Sequence, residues 1–284
     1  MARIIGGLGI SHTPSMGVEF DRAADNGAVA TEWQPWFEGT RPARALLERL
    51  RPDHLVIVYN DHLNHFTLDA YPTFAIGVGN GFPQMDEGWG LRPLPELPGD
   101  HRWGIHLTEQ LIERDFDLTV CQGLGVDHGI FSWLPYLLEP PWTVPITPIA
   151  VNMIREPLPR PQRLADLGLA LRAAVEAHPS EERVLIVATG GMSHQISGAR
   201  FGIANADLDK WFLQQLPAHL DDLLKIEVRE LQRLGGTEAS ELALWYAMRA
   251  ALGPQAGVEY SFSSFPKITG CGVLVMTEPE EAIR

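Results

Sequence analysis

The chain has 284 residues, with 22 Lys plus Arg against 36 Asp plus Glu and a formal net charge of −14. That balance argues against nucleic acid or any other polyanion as a partner, and 45% apolar with 20% charged residues excludes disorder as the main state. No apolar run reaches the roughly 18 residues that span a bilayer, and Met1-Ala2-Arg3-Ile4-Ile5 lacks the pattern of a secretory leader, so no membrane is expected and the expected address is the cytoplasm.

In chain order, strands are expected at Arg3 to Ile10, His54 to Tyr59, Thr73 to Val78, Leu118 to Gln122, Ile146 to Val151, Val184 to Ala188, Val258 to Phe265 and Gly272 to Met276. Most are continuous apolar runs, as suits strands covered on both faces. Pro148 suggests an edge position for Ile146 to Val151, because proline cannot donate to a ladder. Helices are expected at Pro42 to Leu50, His101 to Arg114, Leu164 to His178, Ala206 to Gln215 and Glu238 to Ala251, where apolar residues return every three or four positions. Met16 to Phe37 and Gly79 to Gly99 read as long loops able to wall a cleft. Alternating strands and helices without a Ser- or Gly-rich linker indicate an α/β layer fold in one domain, residues 1–284. Cys121 and Cys271 lie in or beside apolar stretches and read as two buried thiols.

The ten histidines carry the functional signal. His12, His62, His128 and His194 each follow an expected strand and sit among small or polar residues, in Ser11-His12-Thr13-Pro14, Asn60-Asp61-His62, Val126-Asp127-His128-Gly129 and Thr189-Gly190-Gly191-Met192-Ser193-His194. Ligand sites of largely parallel sheets lie beyond the carboxyl ends of the strands, so these imidazoles can converge for metal or acid–base chemistry. His54, His101, His106, His178 and His219 read as solvated side chains, and His65 as a loop residue near the cleft. Glu238 and Glu241 open the last helix on one face; Glu238 reads as a complement to the helix dipole. Two imidazoles and one carboxylate are the donor set of non-haem iron(II) oxygenases. They also suit a zinc hydrolase, although no His-Glu-x-x-His is present, and a non-catalytic metal- or ligand-binding protein on the same scaffold remains a third reading.

Several segments resemble class III extradiol ring-cleavage dioxygenases, most closely the protocatechuate 4,5-dioxygenase β subunits. They are Ser11-His12, Val58-Tyr59-Asn60-Asp61-His62, Pro72-Thr73-Phe74-Ala75-Ile76-Gly77, Asp86-Glu87-Gly88-Trp89-Gly90, Val126-Asp127-His128-Gly129, Gly190-Gly191-Met192-Ser193-His194-Gln195 and Glu241-Leu242 with Trp245. The resemblance implies a mixed central sheet with helices on both faces. It also implies Fe(II) held by His12, His62 and Glu241, His194 as the acid–base residue, His128 as a second active-site histidine, O2 as co-substrate and a catecholic substrate. Candidates are protocatechuate, gallate, 3-O-methylgallate, catechol or a dihydroxypyridine. Where protocatechuate enzymes place a Ser-Asn pair after a Pro near the last strands, this chain has Pro266-Lys267-Ile268-Thr269. Lys267, with Thr269, pairs with a substrate carboxylate, or else Lys267 is a plain edge-strand lysine. The family further implies a homo-oligomer, a small α subunit over the site, or both.

Overall fold

The structure, a computed structural model, describes residues 1–279; the end of the expected domain, residues 280–284, lies outside the described residues. Its strands are β1 (Arg3–Ile10), β2 (His54–Tyr59), β3 (Phe74–Gly77), β4 (Gly81–Phe82), β5 (Leu97–Pro98), β6 (Thr119–Cys121), β7 (Ile146–Val151), β8 (Arg183–Thr189), β9 (Gly257–Ser264) and β10 (Cys271–Thr277). Eight of them form one mixed sheet in the order β6-β3-β7-β2-β8-β1-β10-β9, while β4 and β5 pair apart from it. The central strands β7, β2, β8 and β1 run parallel; β10 and β9 continue the sheet antiparallel.

Alternate residues of each central strand feed two cores. Val56 and Val58 of β2 and Val184, Ile186 and Ala188 of β8 face one side, whereas Leu55, Ile57, Tyr59, Leu185 and Val187 face the other. This two-sided burial explains why the strands lack polar alternation. The first face is covered by α3 (His101–Ile112), α6 (Pro161–Ala177), α7 (Ala206–Gln215), α9 (Val228–Gly235) and α10 (Leu244–Ala251). The second is covered by α1 (Pro14–Asn26), α2 (Gln34–Leu50), α4 (His128–Phe131) and α5 (Leu134–Leu137). One short helix, α8 (Leu220–Leu223), links α7 to α9.

Several expectations are corrected. Met16 to Phe37 is mainly helical: Thr13 caps α1 by accepting from the Met16 N–H at 3.2 Å, Pro14 fits the first turn, and Gly27 at φ 72° ends it. Helix α2 starts at Gln34 rather than Pro42, and Pro42 lies within it. Strand β7 is interior rather than at an edge. Asn152 donates to Thr73 O, so by alternation the Pro148 nitrogen also faces β3, and pairing with β3 ends at Ile76 and Ile149, one residue before Pro148 is reached. The pairing with β3 thus stops where the N–H is missing, so the proline ends that ladder instead of interrupting it, while β7 keeps its pairing with β2 on the other side.

The expected helix from Glu238 begins instead as a 3-10 turn, Thr237–Ala243, that passes into α10. His54 is fully buried, bonded to Thr147 Oγ1 at 2.9 Å and stacked on Trp103, and half-buried His178 stacks on the same indole with half-buried His106 beside it. His54 is therefore a packing residue, not a solvated one, whereas His106 and His178 stay partly exposed. Cys271 is buried as expected, but Cys121 is only half-buried; both are free thiols.

Candidate metal centre and active site

Three adjacent parallel strands deliver the site. Strands β1, β8 and β2 end side by side at Ile10, Thr189 and Tyr59, and the Gly190 N–H donates to Ile10 O at 3.1 Å to keep their ends in line. His12 follows β1 by two residues, His62 follows β2 by three and His194 follows β8 by five. Glu241 arrives from the 3-10 turn, whose backbone packs on Gly190 so closely that a Cβ there would sit 2.7 Å from Glu241 O.

His12 Nε2 lies 3.2 Å from His62 Nε2 and 3.3 Å from Glu241 Oε2, and His62 Nε2 lies 3.1 Å from Glu241 Oε1. Neighbouring groups decide how these rings carry their protons. Thr189 Oγ1 donates its single proton to Gly129 O at 2.9 Å, so it can only accept from His12 Nδ1, also at 2.9 Å. Asp127 Oδ2 accepts from His62 Nδ1 at 3.0 Å and from the His62 N–H at 2.7 Å. Both neutral rings thus hold their proton on Nδ1 and turn a bare Nε2 toward the Glu241 carboxylate. Three electron-pair donors face one another, an arrangement that requires a proton or a cation between them.

The charge shifts agree. Burial alone would lower the proton affinity of His62, yet Asp127 and Glu241 outweigh it and raise that affinity well above the ordinary histidine value. Burial lowers His12, with Glu241 opposing. Glu241 is held well below the usual carboxylate range, because His12 and His62 overcome its burial. Asn60 Nδ2 at 3.0 Å and the Gly191 N–H at 2.7 Å donate to its two oxygens and fix its plane. Metal–nitrogen bonds of about 2.1 Å place adjacent ligand atoms roughly 3 Å apart, so the spacing and donor chemistry fit a divalent transition metal.

His128 and His194 line the same pocket, of about 260 Å³, with Lys267 and Thr269 on its wall. The His128 ring lies 3.9 Å from that of His62, centroid to centroid. His194 donates from Nδ1 to Met192 O at 2.9 Å; a carbonyl can only accept, so Nε2 is the ring nitrogen left for the pocket. Lys267 is not an edge-strand lysine: it occupies the turn between β9 and β10 at φ 58°, with Nζ 4.0 Å from carboxylate oxygens of both Glu19 and Glu32. Glu238 also lines the pocket, with Oε2 buried and lacking a hydrogen-bond partner. It faces the cavity instead of serving only the helix dipole.

Every candidate residue singled out in the sequence therefore meets at one pocket. The residues not singled out were those that orient the site side chains: Thr189, Asp127 and Glu87 beside imidazoles, and Asn60 beside the Glu241 carboxylate. All four fall within or beside the quoted segments, Thr189, Asn60 and Asp127 near the histidines and Glu87 in Asp86-Glu87-Gly88-Trp89-Gly90, and could have been suspected on that ground; which atom each would touch is not written in the sequence.

A mixed α/β sheet with two imidazoles and one carboxylate converging beyond its parallel strands is the layout of a metal-dependent enzyme. Residues 6–276 match the family described as the catalytic LigB subunit of aromatic ring-opening dioxygenase, and the chain belongs to that family. A gallate dioxygenase of Pseudomonas putida is 36% identical over 202 residues, covering 70% of this chain and 59% of that protein. A 2,3-dihydroxyphenylpropionate/2,3-dihydroxicinnamic acid 1,2-dioxygenase of Klebsiella pneumoniae is 31% identical over 216 residues, covering 73% of this chain and 63% of the relative. The matched region thus spans about six-tenths of these two relatives. One from Comamonas testosteroni is 25% identical over 319 residues, covering 95% of each chain. The crystal structure of an uncharacterized Escherichia coli K12 protein superposes with a TM-score of 0.58 at 14% identity, covering 96% of this chain and all of the other, and shares the fold. Among the described residues, no helix is long and apolar enough to cross a membrane.

Proposed function

We propose that this chain opens the ring of a catecholic aromatic by extradiol cleavage, with Fe(II) held by His12, His62 and Glu241 and O2 as co-substrate. The convergence of two bare Nε2 atoms on a buried carboxylate carries this reading. Bound there, iron(II) supplies Lewis acidity to the diol oxygens and a route for electrons from the ring to dioxygen.

The chain's own residues handle binding and protons. His194 takes a proton from a diol hydroxyl at Nε2, because Nδ1 is committed to Met192 O. It then returns that proton as the ring opens. Met192 O holds the imidazole in one tautomer throughout, so no ring flip is needed between the two transfers. His128 forms the second polar wall of the pocket. Lys267 and Thr269 receive a ring carboxylate, which would draw Lys267 from its loose contacts with Glu19 and Glu32. A cavity of roughly 150 Å³ holds benzene, so the pocket volume given above admits one ring with small substituents.

Exposed Ile196 at the pocket wall and exposed Phe201 on the same loop support a covered mouth, by a small α subunit or within a homo-oligomer. The same reading carries a cytoplasmic address.

The test is oxygen uptake by anaerobically purified, iron(II)-loaded protein with protocatechuate, gallate, 3-O-methylgallate, catechol and a dihydroxypyridine. Uptake with a ring-opened chromophore is expected for at least one diol. Silence across the panel with iron shown to be bound would overturn the reading.

A further inference from the structure

The stretch from Gly79 to Gly99 contributes one side chain to the site that the mechanism above does not use. Asp86 Oδ1 accepts from the Gly88 and Gly90 N–H groups, each at 2.9 Å, and both glycines have positive φ, 96° and 90°. This self-capped turn aims Glu87 inward. Two residues beyond it, Arg92 grips Asp21 of α1 through two nitrogens at 2.7 and 2.8 Å and also donates to Phe131 O of α4. The turn is thereby fastened to the two helices that flank His12 and His128.

Glu87 meets His128 twice. Its Oε1 accepts from the His128 N–H at 2.9 Å, and its Oε2 lies 2.6 Å from His128 Nδ1. The pair is largely shielded, with side-chain exposures of 8% and 11%. A carboxylate can only accept here, so Nδ1 carries a proton and Nε2 is the ring nitrogen left for the pocket.

Resting on the proposed function, we propose that Glu87 is a positioning residue, which locks His128 in the Nδ1–H tautomer so that its Nε2 meets the substrate in one fixed orientation. Without Glu87 the imidazole can flip or change tautomer, and the pocket loses a defined hydrogen-bond partner. The bidentate grip also ties the Asp86–Arg92 turn to the site, so loop position and imidazole orientation change together.

The first test reads the tautomer directly and needs no turnover. Ring-nitrogen NMR of 15N-histidine-labelled, zinc-loaded protein should show His128 as Nδ1–H. Glu87→Gln should shift that signal toward a mixture while the His12 and His62 signals hold. The second test is a double-mutant cycle on the iron(II) enzyme. Glu87→Gln should lower kcat by about 10- to 100-fold, the usual cost of losing an imidazole's orienting partner, with KM changed less than about threefold. In a His128→Gln background the same substitution should change kcat less than about twofold, and Glu87→Asp should restore part of the loss. An unchanged His128 signal in Glu87→Gln, or an equal loss of kcat with and without His128, would overturn the proposal. A wild-type protein silent on every diol would instead count against the ring-opening reading, because the tautomer result stands without it.

Discussion

Trp245 lies directly over Gly9, so that a Cβ built on Gly9 would overlap the six-membered ring of the indole. Gly7 meets Met248 in the same way, its built Cβ falling 2.5 Å from the Met248 sulfur. Both large side chains belong to α10, which directly continues the turn bearing Glu241, so the bare backbone of β1 sets how near Glu241 comes to His12. Gly9→Ala is expected to destabilise the protein by about 1–3 kcal/mol through overpacking. At this chain length that is a fall in Tm of roughly 2–4 °C per kcal/mol. It should also weaken metal binding, whereas Gly257→Ala, at an edge position where an added Cβ meets nothing within 4 Å, should do neither. Calorimetry with and without metal separates the two effects.

Thr189 offers a cleaner probe of the candidate metal site, because it touches His12 Nδ1 and is not among the residues lining the pocket. Thr189→Val keeps the shape and deletes the acceptor. Metal affinity should fall by about 10- to 100-fold, as for other orienting partners of metal-bound histidines. Thr189→Ser should stay within a few-fold of wild type. Competition with a chromophoric chelator measures both; equal affinities for Val and Ser would remove the proposed role of the hydroxyl.

His194→Phe should leave metal content unchanged and lower kcat by about 10²- to 10⁴-fold, the range for losing a general acid–base group. Metal analysis and oxygen uptake on the same preparation check it. Full turnover in this variant would show that the proton travels elsewhere.

Lys267→Met distinguishes substrates. If the lysine meets a ring carboxylate, losing one charged hydrogen bond of about 1.5 kcal/mol should raise KM about tenfold for protocatechuate or gallate and leave that for catechol unchanged. Equal changes for both diols would place Lys267 outside recognition. Steady-state kinetics with the matched pair is sufficient.

Asp209 gives a pH prediction away from the candidate metal site. Its carboxylate accepts from the Ser193 N–H at 2.9 Å and from Ser193 Oγ at 2.8 Å, and burial pushes its pKa up to about 6 against those bonds. A raised folded pKa means that the folded state holds the proton more tightly. This group's contribution is therefore fully present below about pH 4 and is lost as pH rises through about 6. A shift of about two units corresponds to roughly 3 kcal/mol. Asp209→Asn should gain stability relative to wild type between pH 4 and pH 7 by up to that amount, read from denaturant midpoints. A difference that does not vary with pH would contradict the buried, unpaired carboxyl.

Much of the architecture was legible because its signal is local. Continuous apolar runs such as His54–Tyr59 and Arg183–Thr189 mark strands buried on both faces whatever their neighbours. Two of the failures share a cause, a partner distant in the sequence. Pro148 was read as an edge signal, but a missing N–H can also sit where the pairing with one neighbour ends, and that neighbour, β3, lies far off in sequence. His54 was read as solvated, but Trp103 from α3 covers it. In Met16 to Phe37 the composition obscured a helix that Thr13 and Gly27 punctuate in plain view.

The sequence by itself determined the eight strands of the main sheet, five of the ten α-helices described, the residue types of the candidate metal centre and the family to which their flanks belong, since each of these is written in a few consecutive residues. Only the tertiary structure decided which strands stand next to each other and so bring His12, His62 and Glu241 to within 3.3 Å. It also decided which nitrogen is left for the pocket in three of these imidazoles, through Thr189 at Nδ1 of His12, Asp127 at Nδ1 of His62 and Glu87 at Nδ1 of His128. A ring's tautomer depends on what its second nitrogen touches, and two of those partners, Thr189 and Asp127, lie 177 and 65 residues away along the chain.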